Sequence, residues 1–186
     1  TIILPKLDRI PIVTSGGLNT VGIRFPSHPM AQAIIRAAGT PLAAPSANTS
    51  GRPSTTTAQH VMEDLNGKIA AVVDGGACSV GVESTVVSLC GERPRLLRPG
   101  GISLEQPRAV LGEVDVDRAL REKIDDSEKV SAPGMKYRHY APKAPVTVVF
   151  GTPKTSADYI YAQLGENSGV LCFDDCAARF QNAAVV

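Results

Sequence analysis

The apolar runs of this chain are short and constantly interrupted. Across 186 residues there are 17 glycines and 14 prolines, and the longest apolar stretches, such as Ile69 to Val73 and Val146 to Phe150, are strand-sized. None approaches the roughly 20 consecutive apolar residues that a bilayer-spanning helix needs. Such a chain folds from many short elements joined by tight turns. Its length suits one large domain, or one domain and part of a second, and a globule of this size buries roughly 70% of its unfolded surface. With 43% hydrophobic residues and a net charge of +1, the sequence is globular in character. Bulk attraction to nucleic acid or to acidic membranes has no basis.

The periodicities read as follows. Thr1-Ile2-Ile3-Leu4 is an apolar run with no signal-peptide pattern, so the chain reads as starting within a strand, and a sheet beginning there leaves an unpaired edge. From Thr20 to Phe25 the residues alternate, with Val21, Ile23 and Phe25 on one face and Thr20, Gly22 and Arg24 on the other. Ser27-His28-Pro29 opens a helix that runs to Ala38 and stops at Gly39. Pro41 to Pro45 reads as a short strand feeding the polar loop Ser46 to Gly51. A helix then starts over Ser54 to Thr57, with a Thr56–Gln59 capping box and a stripe of Ala58, Val61, Met62 and Leu65. Strands are expected at Ile69 to Val73, around Ser84 to Leu89 and over Pro94 to Arg98, and Ser103 with Gln106 caps a helix reaching about Leu111. The alternation makes the class α/β, with a twisted mixed sheet lining a concave cavity. Residues 1–112 then form one domain, 113–145 a proline-bearing linker containing Lys136-Tyr137-Arg138-His139-Tyr140, and 146–186 the opening β-α-β of a second, Rossmann-like domain.

Several constellations carry chemistry. Ser46 and Asn48, two apart, share a face in extended backbone and can meet a phosphate or a small polar ligand; equally, they can form a turn that satisfies its own backbone. The hydroxyls from Ser54 to Thr57 suit an anion at a helix start, and also plain capping. Gly76 and Gly81 have P-loop spacing, but Val82-Glu83 stands where Lys and Ser or Thr belong, so there is no Walker A motif. Arg24 and Arg98 are forked donors suited to carboxylate or phosphate, or to surface ion pairs. Tyr137 and His139 lie where cations and aromatics mix, a pattern that stacks on a ring or remains a solvated charge run. Cys78, Cys90, Cys172 and Cys176 lack CxxC or Cys/His ligand spacing, which fits reduced thiols in a cytoplasm and predicts no metal site.

Together, Thr20-Val21-Gly22-Ile23-Arg24, the run from Pro45-Ser46-Ala47-Asn48 to Ser54, Gly81-Val82-Glu83-Ser84-Thr85-Val86-Val87 and Leu97-Arg98-Pro99-Gly100-Gly101 closely resemble the YrdC-type domain of threonylcarbamoyl-AMP synthases. The segment Ser131 to Pro142 resembles the connector of the long, two-domain form of that family. The resemblance implies a nucleotidyltransferase that makes threonylcarbamoyl-AMP and pyrophosphate from L-threonine, bicarbonate or CO2, and ATP with Mg2+. Downstream threonylcarbamoyl-transferase proteins use the product for the t6A modification of tRNA.

By the same resemblance, Arg24 holds the threonine carboxylate, and the Ala44 backbone and Ser84 complete the amino-acid pocket. Ser46, Asn48, Ser54 and Arg98 line the nucleotide, with Thr20 also on the ATP side. Arg98 acts on the reacting phosphates, and Tyr137 and His139 close over the nucleotide from the linker. The family's domain begins with strands and a basic Lys/Arg pair upstream of a segment like Thr1-Ile2-Ile3-Leu4, and its second domain runs longer. The chain therefore reads as a fragment, inactive by itself. An RNA-binding module without chemistry is the alternative, disfavoured by the near-neutral charge.

Overall fold

A computed structural model describes residues 1–120, 144–180 and 184–185. The chain divides into two compact units, Thr1–Ala141 and Pro142–Val186. The first is built on a five-stranded sheet formed by β1 (Ile2–Pro5), β2 (Thr20–Ile23), β3 (Val86–Ser88), β4 (Arg95–Arg98) and β5 (Asp115–Val116), in the order β2-β1-β3-β4-β5. β1 runs antiparallel to β2, with Ile3 opposite Gly22, and parallel to β3, with Ile2 opposite Val87. β3 is antiparallel to β4, and β4 is parallel to β5. The sheet is thus mixed, as the alternation of elements implies. The expected open edge at β1 is not there, because β1 is hydrogen-bonded on both sides; β2 and β5 are the outer strands. Residues 115–116, within the stretch 113–145, belong to the sheet as β5.

The core is thin and two-sided. Ile3, Val86 and Leu97 pack on one face of the sheet; Val87, Leu96 and Val114 pack on the other, under Leu89 and Leu104. Alternation along β3 and β4 produces this division. Opposite the step from Val86 to Val87 the register slips from Arg98 to Leu96, a bulge that leaves Leu97 as the extra residue. Leu97 is 2% exposed.

Three helices accompany the sheet. α1 (Pro29–Ala38) starts on its proline and ends at Gly39, whose φ of 64° places it in the left-handed region that L side chains avoid. α2 (Ala58–Leu65) begins four residues later than Ser54: the Thr57 hydroxyl accepts from His60 N–H at 3.2 Å, and Gln59 donates instead to Glu63. Ser54 therefore lies outside the first helical turn. The α2 stripe is also not what becomes buried, since Asp64 is the helix's one buried residue. α3 (Glu105–Leu111) keeps the expected box in part, with Ser103 N–H donating to the Gln106 side chain at 3.0 Å. Hydrogen bonding from Ser103 and from its own backbone N–H holds the Glu105 carboxyl below its usual range.

Pro41 to Pro45 and Ile69 to Val73 are irregular rather than strands. The first has prolines without donors at both ends, and Ile69 and Val73 are exposed. β-propensity stabilises a strand only where a neighbouring strand supplies the ladder.

In the second unit, α4 (Pro153–Gln163) is capped by the Thr152 hydroxyl and carries Ala157. Ala157, Val170 and Phe180 form its core, flanked by Ile160, Leu164, Cys172 and Cys176. β6 (Gly169–Val170) pairs in parallel with β7 (Ala184–Val185) across α5 (Asp174–Ala177). Val146 to Phe150, expected as a strand, is irregular and largely exposed. The β-α-β of this unit is therefore β6-α5-β7.

Thr85 is a buried hydroxyl with two partners: it donates to the Ile102 carbonyl at 2.6 Å and accepts from Ile102 N–H at 3.0 Å. Thr85→Val keeps the shape and strands both backbone groups, so a loss of about 2 kcal/mol is expected. Denaturant midpoints at unchanged slope measure it. A loss within noise would mean that water replaces the hydroxyl.

Candidate functional site

The register of the sheet gathers the site. Ile2 lies opposite Ile23 on one side and Val87 on the other, and Val86 lies opposite Arg98. Thr1, Arg24, Ser84 and Arg98, at or just beyond these strand ends, therefore meet at one end of the sheet. The Arg24 Nε donates to Thr1 Oγ1 at 3.2 Å, and the Thr1 and Ser84 hydroxyls are hydrogen-bonded to each other at 2.7 Å. Arg98 grips Ser84 with its fork, Nε and Nη2 reaching the carbonyl at 3.1 and 3.0 Å and Nη2 also reaching Oγ at 3.2 Å. Arg24, Ser84 and Arg98 thus sit in one chain of hydrogen bonds running through the Thr1 hydroxyl.

The electrostatics of this end are positive. Among the described residues, neither Arg24 nor Arg98 is paired with a carboxylate. The two guanidinium groups are linked through the Thr1 hydroxyl and Ser84. Two forked cations satisfied only by hydroxyls and a carbonyl retain the capacity to take an anion.

Gly100 explains why Arg98 is followed by Pro-Gly-Gly. A Cβ on Gly100 would run into the Glu83 carbonyl and the Thr85 N–H, and would lie 2.6 Å from the Ser84 carbonyl carbon. The turn after β4 therefore lies directly against the backbone that carries Ser84. Ser54 reaches the same segment from another side, its hydroxyl donating to Glu83 Oε1 at 2.8 Å.

The other sequence-selected residues are placed differently. Asn48 closes its own loop: Nδ2 donates to the Thr49 and Arg52 carbonyls, each at 3.0 Å, while Oδ1 is buried without a partner among the described residues. The self-satisfying turn is the geometry adopted here. Ser46 and Ala44 are exposed in irregular backbone ahead of that loop. Thr20 opens β2 opposite Pro5, four residues before Arg24, and so lies about 13 Å from it along the strand. Tyr137 and His139 lie outside the described residues. Sequence reasoning missed Thr1, which bridges Arg24 to Ser84, and Asp64, which ties the Asn48 loop to α2. Asp64 lies beside His60, outside the apolar stripe of α2, and neither it nor Thr1 left a sequence signal.

Two family models account for nearly the whole chain. Residues 1–100 match the telomere recombination family of Sua5, YciO and YrdC proteins, and residues 102–186 match the threonylcarbamoyl-AMP synthase C-terminal domain. The chain belongs to this family. It is 51% identical over 183 residues to a threonylcarbamoyl-AMP synthase of Bacillus subtilis, covering 97% of this chain and 52% of that protein. It is 52% identical over 151 residues to the Pyrococcus abyssi enzyme of the same name, covering 81% and 44%. The crystal structure of P. abyssi Sua5 complexed with L-threonine superposes with a TM-score of 0.85 at 42% identity, over 100% of this chain and 54% of that one. The chain spans about half the length of the curated relatives it matches. Across this family match, the mixed sheet and the second unit's separate core follow the long, two-domain arrangement.

Proposed function

We propose that this chain provides the amino-acid wall and part of the nucleotide wall of an L-threonylcarbamoyladenylate synthase. The observation that carries the reading is the meeting of Arg24, Ser84 and Arg98 through the Thr1 hydroxyl, with both cations free of carboxylates among the described residues. Arg24 is exposed and offers its remaining N–H groups to the threonine carboxylate. Ser84 and the Ala44 backbone complete that pocket. Ser46, Asn48, Ser54, Thr20 and Arg98 serve the ATP side, with Tyr137 and His139 closing it.

In the reaction, the threonine amine combines with bicarbonate, releasing water, or with CO2, releasing a proton, to give a carbamate. A carbamate oxygen attacks the α-phosphorus, forming a new P–O bond as the bond to pyrophosphate breaks. Negative charge accumulates on the phosphate oxygens, and Arg98 stabilises it. No covalent nucleophile is needed.

Mg2+ fits as part of the substrate. It keeps most of its waters and binds through substrate phosphates with one or two carboxylates. Among the described residues no three His, Cys, Asp or Glu converge to cage it, while Glu83, bonded to Ser54 and adjacent to Ser84, supplies a carboxylate beside the site. We place the protein in the cytoplasm, where four cysteines without CxxC or Cys/His ligand spacing stay reduced. Among the described residues no helix is long and apolar enough to cross a membrane. Its product passes to the threonylcarbamoyl-transferase proteins that modify tRNA.

Arg24→Ala tests the amino-acid assignment. Threonine binding should weaken by about 1.5–3 kcal/mol, the scale of a charge-assisted pair, with ATP binding changed less. Calorimetric titration with each ligand decides. Equal losses for both would remove Arg24 from the amino-acid side.

A further inference from the structure

The most buried residue of α2 is an acid. Asp64 is 8% exposed, whereas Met62 on the same helix is 43% exposed. An amphipathic helix of this size buries an apolar stripe, so a buried carboxylate needs a partner that repays its loss of water. Asp64 has its partners on the loop that carries Asn48. Its Oδ2 accepts from Thr49 N–H at 2.9 Å, and its Oδ1 accepts from the Arg52 guanidinium. Its backbone carbonyl accepts from the Thr49 hydroxyl at 3.3 Å and from Lys68 Nζ at 3.0 Å. Within the loop, Asn48 binds the Thr49 and Arg52 carbonyls, and Arg52 N–H returns to the Thr49 carbonyl at 3.0 Å. The two residues that Asn48 ties to itself, Thr49 and Arg52, are the two whose donors Asp64 holds. Beyond these bonds, the Thr55 hydroxyl donates to the Ala47 carbonyl at 3.1 Å, a neutral bond to the neighbouring backbone.

From this we infer that Asp64 is a positioning residue for the nucleotide side. It does not touch substrate; it fixes the loop that presents Ser46 and Asn48, and it rests on the reading of that loop as part of the ATP wall. Two charge-assisted bonds from one rigid helix fix both the loop's distance from α2 and its rotation about the helix axis. An unclamped loop has to be ordered by each incoming nucleotide, which lowers the apparent affinity. The amino-acid side is built on strand ends and is untouched by this clamp.

The experiment titrates wild type, Asp64→Ala, Asp64→Asn and Asn48→Ala with a non-hydrolysable ATP analogue and with L-threonine, and follows hydrogen exchange of the Thr49 amide. Asp64→Ala should weaken the ATP analogue about tenfold, the fall expected when the unclamped loop holds its binding arrangement about a tenth of the time, and leave threonine affinity within about twofold. The Thr49 amide should exchange faster in this variant. Asp64→Asn retains an acceptor for Thr49 N–H and should recover part of the affinity and the amide protection. A general structural role would weaken both ligands together and would overturn the inference. If Asn48→Ala weakens the analogue while Asp64→Ala does not, the loop reading stands and the clamp is wrong. If neither variant affects the analogue, the loop is not on the nucleotide side and both ideas fall. The Thr49 amide stays informative throughout: unchanged exchange in Asp64→Ala would also overturn the clamp.

Discussion

Gly100→Ala is expected to destabilise the first unit by about 3 kcal/mol, the upper part of the range for forced overpacking. The added methyl meets the Glu83 carbonyl and the Thr85 N–H, with the Ser84 carbonyl carbon 2.6 Å away. These are backbone atoms, and no rotamer change relieves them. Accommodation requires the Pro99-Gly100-Gly101 turn to lift from the Glu83–Thr85 segment. That movement stretches the Ile102 bonds of Thr85 and the Arg98 grip on Ser84. Thermal or denaturant unfolding reads the cost. Gly101→Ala is the control: its Cβ would meet the tip of the Val80 side chain at 2.6 Å, which can rotate away. Equal losses at the two glycines would show that the close approach at Gly100 is relieved elsewhere.

Arg98→Ala should lower threonine- and bicarbonate-dependent pyrophosphate release by the full-length protein about 10²–10³-fold, the loss typical of one preorganised donor on developing charge. Arg98 is half-buried, with no carboxylate partner among the described residues, so its removal should cost far less stability than the Gly100 change. The decisive comparison is turnover against affinity. A fall in the turnover number at saturating substrates places the guanidinium in the transition state. A fall confined to apparent threonine affinity would reassign Arg98 to supporting Ser84.

Local features of this fold were legible in the sequence wherever the cause was local. Pro29 and Gly39 bound α1, the alternation from Thr20 marks β2, and Ser103 with Gln106 marks the start of α3. These signals arise from backbone sterics and short-range hydrogen bonds, which neighbouring residues determine. The failures have a different origin. Ile69 to Val73 has the composition of a strand, but among the described residues no ladder neighbour reaches it. The bulge at Leu97, which sets the register of Arg98 against Val86, is a property of the pairing of two strands. Asp64 is buried because of a loop 15 positions earlier.

The site divides along the same line. The motifs named Arg24, Ser84 and Arg98 individually, but their meeting depends on Thr1 and on sheet register, neither of which leaves a spacing signature. Ser46, Asn48 and Ser54 are close in sequence, yet Ser54 bonds to Glu83 while Asn48 is occupied with its own loop.

The interior place of β1 in the sheet also has a consequence in time. Thr1 N–H binds the Thr85 carbonyl, 84 positions later, and β1 takes up its second ladder only when β3 exists. At roughly 5–20 residues per second on the ribosome, about 4–17 s separate the synthesis of these partners. The β1–β2 hairpin can close early, but two-stranded hairpins are marginal in water. During that interval the later inner face of β1, with Ile3, remains open to any other extended chain. Nascent copies on one messenger are therefore most exposed to cross-pairing before Val86 emerges, and delaying translation between β2 and β3 should lower soluble yield without changing a single residue.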